Sequence, residues 1–139
     1  MLVRVTQHFP ASADEVFAAW LDPRMLGEWM FGPNVREEEI VHLNVDARIG
    51  GAFSFLVRRQ GREIDHVGQY LEINSPRRLV FTWGIAGSDS SRVEIEIMPT
   101  SGGCELALTH ELAPAWADYA DRTRAGWTNM LGVLAKVLG

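Results

Sequence analysis

Four histidines are the side chains best suited to move protons at neutral pH, and they lie far apart in the sequence. They are His8, His42, His66 and His110. Their spacing does not match that of metal ligands within one element, so we predict no metal site from them. Each lies in a segment with alternating apolar residues, on a different predicted strand, which leaves open that the fold brings them together.

His66 is the histidine whose position favours a role in a binding site. It shares strand parity with Ile64 and Tyr70, so its side chain is expected on the face that turns inward. The ordinary interpretation is a strand histidine that hydrogen-bonds a neighbour. The alternatives are a polar contact with a ligand and acid–base catalysis by His66, Tyr70 or Glu72. Catalysis would require two or three polar groups that converge on one point.

The sequence offers no clear nucleophile. Cys104 is the one cysteine, which excludes an intrachain disulfide, and nothing around it predicts a lowered thiol pKa. Ser54 lies between Phe53 and Phe55 and is therefore expected to face away from their side of the strand. Neither a G-x-S-x-G motif nor a G-x-x-x-x-G-K phosphate-binding motif occurs. We predict no catalytic residue and no cofactor.

Charge excludes two classes of partner. The formal net charge is −5, and the 13 basic residues are one lysine and twelve scattered arginines that form no stripe. Nucleic acid and anionic membranes are therefore poor partners. No apolar run approaches the roughly 20 residues of a membrane helix. The start of the chain alternates instead of forming the apolar core of a signal peptide, so a cytoplasmic location is expected.

Two short charged segments are interpreted as structural. The acidic run Glu37–Glu39 is expected to be a solvated loop or strand edge. Arg48 is expected to pair with Asp46 or Glu72 at the surface, and the glycines at 50–51 permit the positive φ of a bend between strands. An anion-binding role for Arg48 is the alternative.

The elements that must position these residues follow from apolar periodicity. Alternation predicts a strand at Val3–Phe9 and about six antiparallel strands between Ile40 and Glu111. Ser12 and Glu15 form a capping box that predicts a short helix, with a second short helix after it. The chain of 139 residues has no linker or repeat, which indicates one α+β domain over residues 1–139.

A long C-terminal helix is predicted at Ala115–Leu138. Apolar residues recur there at spacings of three and four, and Trp116, Trp127, Leu131 and Leu134 are expected to pack on the concave face of the sheet. Gly126 and Gly132 weaken such a helix by about 1 kcal/mol each. Close approach of the helix to the sheet would explain them, and a flexible helix that opens a pocket is the alternative.

A curved sheet wrapped around one helix is expected to leave a gap between the two. Large flat aromatic side chains pack less readily than Leu or Ile against a curved sheet. We therefore predict that they line a pocket for an apolar ligand, and the alternative is that they simply form the core. The predicted ligand-binding residues are Trp20, Trp29, Met30, Phe53, Phe55, His66, Tyr70, Phe81, Trp83, Thr123 and Trp127.

Several motifs, in order along nearly the whole chain, resemble one family, the homologues of the activator of the heat-shock-protein-90 ATPase. They are Pro10–Trp20, Glu28–Pro33, Asp46–Gly51, Pro76–Trp83 and Gly126-Trp127 with Leu131 and Leu134. That family lies in the START, polyketide-cyclase and Bet-v-type (SRPBCC) superfamily. The resemblance implies a helix-grip fold, in which an antiparallel sheet folds around a long C-terminal helix with a cavity between them.

The resemblance also implies the function expected here, which is binding of a hydrophobic or aromatic small molecule. It carries over no catalytic residue, because the family shares a shape and no catalytic triad. The eukaryotic co-chaperone has an additional N-terminal domain, for which 139 residues are not expected to leave room. Two alternatives stay open, a protein-interaction or co-chaperone-like module and a cyclase- or hydrolase-like enzyme. A homodimer also stays open.

Overall fold

Seven antiparallel strands form one curved sheet in the computed structural model, which describes residues 1–139. The strand order is β1-β7-β6-β5-β4-β3-β2, so every neighbouring pair is consecutive in sequence except β1 and β7. The strands are β1 Leu2–Phe9, β2 Glu39–Val45, β3 Ala52–Arg59, β4 Arg62–Asn74, β5 Arg78–Ile85, β6 Ser91–Thr100 and β7 Gly103–Glu111. This confirms the predicted succession of strands.

Three α-helices and one 3₁₀ helix cover the concave face of the sheet. They are α1 Ala13–Ala19, α2 Pro23–Trp29, the 3₁₀ helix Pro114–Tyr119 and α3 Ala120–Leu138. The predicted cap of α1 is confirmed, since the hydroxyl of Ser12 accepts the backbone N–H of Glu15 at 3.2 Å. α3 packs against β1 and α2. None of the helices is both long enough and apolar enough to cross a membrane.

The long C-terminal helix starts later than predicted. It begins at Ala120, and the preceding residues 114–119 form a 3₁₀ helix without a single buried residue. Trp127, Leu131 and Leu134 pack in the core as expected, but Trp116 is 44% exposed and does not. Spacing of three residues fits both kinds of helix, and a segment with no face to bury gains nothing from a longer α-helix.

The helix glycines are not explained by close packing. A Cβ atom added at Gly126 or Gly132 would meet no other atom within 4 Å. The expectation of a close approach to the sheet is therefore wrong. The buried stripe of α3 consists of Ala120, Trp127, Met130, Leu131 and Leu134, and the glycines lie outside it.

Gly68 on β4 is the glycine that the packing does require. A Cβ atom there would collide with the carbonyl oxygen of Thr82 and with the ring of Phe53. Phe53 and Phe55 both point inward, as alternation predicted, and their rings stack with centroids 4.6 Å apart. The absence of a side chain at Gly68 therefore gives the Phe53 ring its place on the sheet.

The acidic run at 37–39 contains a buried carboxylate, which corrects the expectation that it is wholly solvated. Glu38 has a fully buried side chain that pairs with Arg59 at 2.7 Å and Arg36 at 2.9 Å. It also accepts the backbone N–H of Gly32 at 2.8 Å. Burial alone would raise the pKa of Glu38, but the Gly32 bond and the two guanidinium groups outweigh it and lower that pKa. This network ties the loop after α2 to the sheet.

The bend at residues 46–51 is structural, as predicted. Arg48 pairs with Asp46 at 2.9 Å on the surface, and Gly50 has a φ of 82°. Gly51 has no room for a side chain, because a Cβ atom would collide with the carbonyl oxygen of Asp46.

Candidate functional site

The aromatic residues of the concave face pack against one another rather than around a large space. Trp20 contacts Trp29 edge-on at a centroid distance of 4.7 Å and lies 5.9 Å from Trp127. Phe53 lies 5.8 Å from Phe81, also edge-on. The cavity left beside Trp20, Phe53 and Phe81, the inner cavity, has a volume of about 10 Å³, which is room for about one water molecule.

A second, larger cavity lies between the β5–β6 connection and the start of α3. This outer cavity has a volume of about 300 Å³. It is lined by Trp83, Gly84, Ile85, Ser88, Asp89, Ser90, Ser91, His110, Leu112, Ala113, Trp116, Tyr119 and Thr123.

The two cavities divide the predicted site residues. The predicted residues that line the inner cavity are Trp20, Met30, Phe53, Phe55, Tyr70, Phe81 and Trp83. Trp83 and Thr123 line the outer cavity, whereas Trp29, His66 and Trp127 line neither. The structure therefore does not bring the predicted residues to one pocket, because aromatic side chains from β3, β4 and β5 interdigitate with Trp20. Trp83 is the residue common to both cavities. Which of the residues contact a ligand stays a prediction.

A chain of hydrogen bonds joins four elements along the wall of the outer cavity. The indole N–H of Trp127 donates to Nδ1 of His110 at 3.0 Å. Nε2 of a neutral His110 must then carry the proton, which it donates to the hydroxyl of Ser91 at 2.6 Å. Ser91 donates in turn to the carbonyl oxygen of Trp83 at 3.0 Å. Every donor in the chain thus has an acceptor.

This arrangement fixes the protonation of His110 and what the residue can do. Burial lowers the pKa of His110 to about 4, so the ring is neutral at physiological pH. Its Nε2 atom already holds a proton and cannot take one from Ser91, so the pair lacks the activated hydroxyl of a serine nucleophile. Sequence reasoning did not assign either residue to a site. The inward parity of His110 with Leu106 and Leu108 was the signal that could have found it.

His66 is hydrogen-bonded to a strand neighbour, which confirms the ordinary interpretation. Its Nδ1 atom lies 3.1 Å from the carbonyl oxygen of Phe55, and burial lowers its pKa. Burial raises the pKa of Tyr70, and Glu72 accepts a hydrogen bond from Arg78. Glu72 lies half-exposed in its ion pair with Arg78, whereas His66 and Tyr70 are buried, so the three groups proposed for acid–base catalysis do not converge on one point. No group of three or more His, Cys, Asp or Glu side chains could hold a metal ion.

Aromatic rings and one carboxylate give the outer cavity its surface chemistry. Trp116 and Tyr119 are each 44% exposed, and their ring centroids lie 5.2 Å apart. The guanidinium of Arg122 lies 5.6 Å from the Tyr119 ring. Asp89 is the one acidic residue that lines the cavity, no lysine or arginine lines it, and Asp89 forms no ion pair within the chain.

One residue of the inner cavity has a buried polar atom without a partner. Trp20 is 3% exposed and lines this cavity, and its indole Nε1 has no hydrogen-bond partner in the protein. A buried donor without an acceptor costs about 1–3 kcal/mol. An acceptor atom that reached this point would therefore be stabilised there.

Comparison with known proteins gives a consistent result. A family model described as activator of Hsp90 ATPase homolog 1-like protein matches residues 10–139. The crystal structure of protein CV1439 from Chromobacterium violaceum is 24% identical with a TM-score of 0.85, over 99% of this chain and 96% of that one. CalU16 from Micromonospora echinospora is 26% identical with a TM-score of 0.75, over 99% of this chain and 76% of that one. A search of curated proteins finds no match.

A third solved structure bears the name of the same family. It is the solution structure of an AHSA1-like protein from Aeromonas hydrophila, 19% identical with a TM-score of 0.79, over 98% of this chain and 90% of that one. These similarities confirm the predicted helix-grip fold. The family commonly binds hydrophobic ligands. Because the family model spans nearly the whole sequence, the chain belongs to the activator of Hsp90 ATPase homolog 1-like family.

Proposed function

We propose that this protein binds a small apolar or aromatic molecule in the outer cavity. The observation that carries the proposal is the cavity of about 300 Å³ walled by Trp83, Trp116 and Tyr119. That volume is at the lower end of the range typical of small-molecule sites, about 300–1,000 Å³. The ligand is therefore a molecule of up to about three rings rather than a long lipid.

The walls of the cavity support this assignment. Binding pockets combine mostly apolar walls with a few fixed polar groups that orient the ligand. Here Ser91, held in place by its bonds to His110 and Trp83, and the carboxylate of Asp89 supply polar atoms, while Leu112 and the aromatic rings supply apolar surface. The membership of the chain in a family that commonly binds hydrophobic ligands points the same way.

The predicted site residues that line the inner cavity can contact the ligand only if the side chain of Trp83 moves. Trp83 lies between the outer and the inner cavity and is partly exposed, unlike Phe53 and Phe81. Displacement of its indole would join the two cavities and expose the unpaired Nε1 of Trp20 to the ligand. We include this second position of the ligand in the proposal.

A neutral fluorescent probe tests the proposal. N-phenyl-1-naphthylamine should bind with energy transfer from tryptophan. Thr123→Leu adds bulk to the wall of the outer cavity, and overpacking of this kind should weaken binding by about tenfold. Thr128→Leu is the matched control, because Thr128 lies exposed on the same helix and should leave binding unchanged. Absence of binding, or equal binding by the two variants, would contradict the proposal.

A second candidate function is a protein-interaction module, and the nearly filled inner cavity favours it. A closed core with exposed aromatics is what such a module needs, and Trp116 and Tyr119 are exposed side by side. The name of the family suggests the assay, which is the ATPase rate of an Hsp90 chaperone with and without the protein. Acceleration of the ATPase by the wild-type protein that is lost in Trp116→Ala would support this function. An ATPase rate that the wild-type protein does not change would contradict it.

A further inference from the structure

The aromatic walls of the outer cavity are suited to more than apolar contact. Trp83, Trp116 and Tyr119 line the same cavity, and the face of an indole or phenol ring carries partial negative charge. A cation placed over such a face is attracted to it, most strongly over tryptophan. Three rings around one space of about 300 Å³ therefore favour a positive group in it.

The charged groups that line the cavity also favour a positive ligand. Asp89 is its one acidic residue and is not neutralised by any basic side chain, and neither lysine nor arginine lines the cavity. The imidazole of His110 adds no positive charge, since its Nδ1 atom accepts the hydrogen bond from Trp127. An anionic ligand would face Asp89 without a partner, whereas a cation would gain one.

Tyr119 already interacts with one cation. The guanidinium of Arg122 lies 5.6 Å from its ring centroid, within the range of a cation–π contact. Arg122 does not line the cavity, but its charge lies against the ring of Tyr119, which does, and therefore opposes the binding of a second cation at that ring. Removal of this charge should therefore improve the binding of a positive ligand.

We propose that the ligand of the outer cavity is an organic cation, an apolar amine or quaternary ammonium whose charged head is held by the rings of Trp83, Trp116 and Tyr119 and by the carboxylate of Asp89. This inference rests on the proposed function, because it assigns a chemical class to the ligand of the same cavity. The apolar part of the molecule contacts the walls, and the head remains near Asp89.

Two molecules of the same shape but different charge test the inference. They are 3-hydroxyphenyltrimethylammonium and 3-tert-butylphenol, and their binding to the full chain is measured by isothermal titration calorimetry. The cation should bind about 5- to 30-fold more tightly than its neutral counterpart. Its affinity should also fall as salt is added, whereas that of the phenol should not.

Three variants localise the effect. Asp89→Asn should weaken the cation about fivefold and leave the phenol unchanged. Asp118→Asn is the matched control, because it removes the same charge from an exposed residue of the 3₁₀ helix that does not line the cavity. Arg122→Gln should tighten the cation alone.

The outcomes separate the inference from the proposed function. Equal or tighter binding of the phenol overturns the cation assignment and leaves the proposed function intact. An Asp89→Asn variant that binds the cation no differently from Asp118→Asn also overturns it. If neither molecule binds and N-phenyl-1-naphthylamine does not bind either, both proposals fail.

Discussion

At the scale of single residues, His110 couples packing to pH. Its Nδ1 atom accepts the indole N–H of Trp127, and only a neutral ring can do so. Burial lowers the pKa of His110 to about 4, from an ordinary value near 6.5. Between these pH values the unfolded chain binds a proton at this residue and the folded chain does not. Stability from this residue is therefore complete above pH 6.5 and falls as the pH drops towards 4.

The variant His110→Gln tests this coupling, because glutamine can still accept from Trp127 but does not titrate. The free energy of unfolding should be measured in urea at several values from pH 7 to pH 4. The advantage of the wild type over the variant should shrink by about 3 kcal/mol across that window. A difference that stays constant with pH would contradict the assignment.

The orientation of side chains could be predicted where it depends on alternation within a single strand. Alternation within β3 correctly turned Phe53 and Phe55 inward and Ser54 outward, where it contacts Asp65. The partnership of Ser91 with His110 could not be predicted in this way. It depends on the register between β6 and β7, and the two residues are 19 positions apart in sequence.

At the scale of elements, α3 contains two glycines that lower its stability and that its packing does not require. Gly126 and Gly132 lie outside its buried stripe, and a methyl group at either position would meet open space. Gly126→Ala and Gly132→Ala should each raise the free energy of unfolding by about 1 kcal/mol, since alanine loses less conformational entropy in a helix. Chemical denaturation measures the change. Gly68→Ala should have the opposite effect, and destabilisation by all three substitutions would contradict the explanation.

The elements themselves could be predicted from their periodicity better than their boundaries. The strands alternate strictly, so their existence and order followed from the sequence. The start of α3 did not, because the spacing of four between Trp116 and Ala120 fits an α-helix, whereas residues 114–119 form a 3₁₀ helix. What distinguishes the two is burial, and burial depends on the sheet to which the segment is attached.

At the scale of the whole molecule, Trp127 joins α3 to the sheet. Its ring lies 5.5 Å from Trp83 and 5.9 Å from Trp20, and its N–H pairs with His110. Trp127→Ala should lower the free energy of unfolding by about 3–5 kcal/mol, as for other large aromatic residues removed from a core. Trp127→Phe keeps most of the volume and should cost only about 1–3 kcal/mol, chiefly for the unpaired acceptor on His110. Denaturant unfolding measures both, and an equal cost would contradict this division.

The interior volume is the property of the whole molecule that sequence could not supply. Strand parity correctly turned Phe53, Phe55 and Phe81 towards the core, but the same residues can line a space or fill it. The outcome depends on how the rings tilt against one another, as Trp20 and Trp29 do at 71°. The open space lies instead beside the β5–β6 connection, in a segment without a strong pattern.

The pairing of β1 with β7 has a consequence for how the protein is made. Leu2 lies opposite Glu111, and α3, which packs on β1, follows only after β7. β1, the first strand to be translated, therefore stays unpaired until β7, the last strand, has been translated. The other strands can pair with their predecessors during synthesis, but β1 joins the sheet only after β7 has been translated, and the core is covered only after α3 has followed. Translation arrest before β7 should therefore leave β1 as an unpaired, protease-sensitive segment.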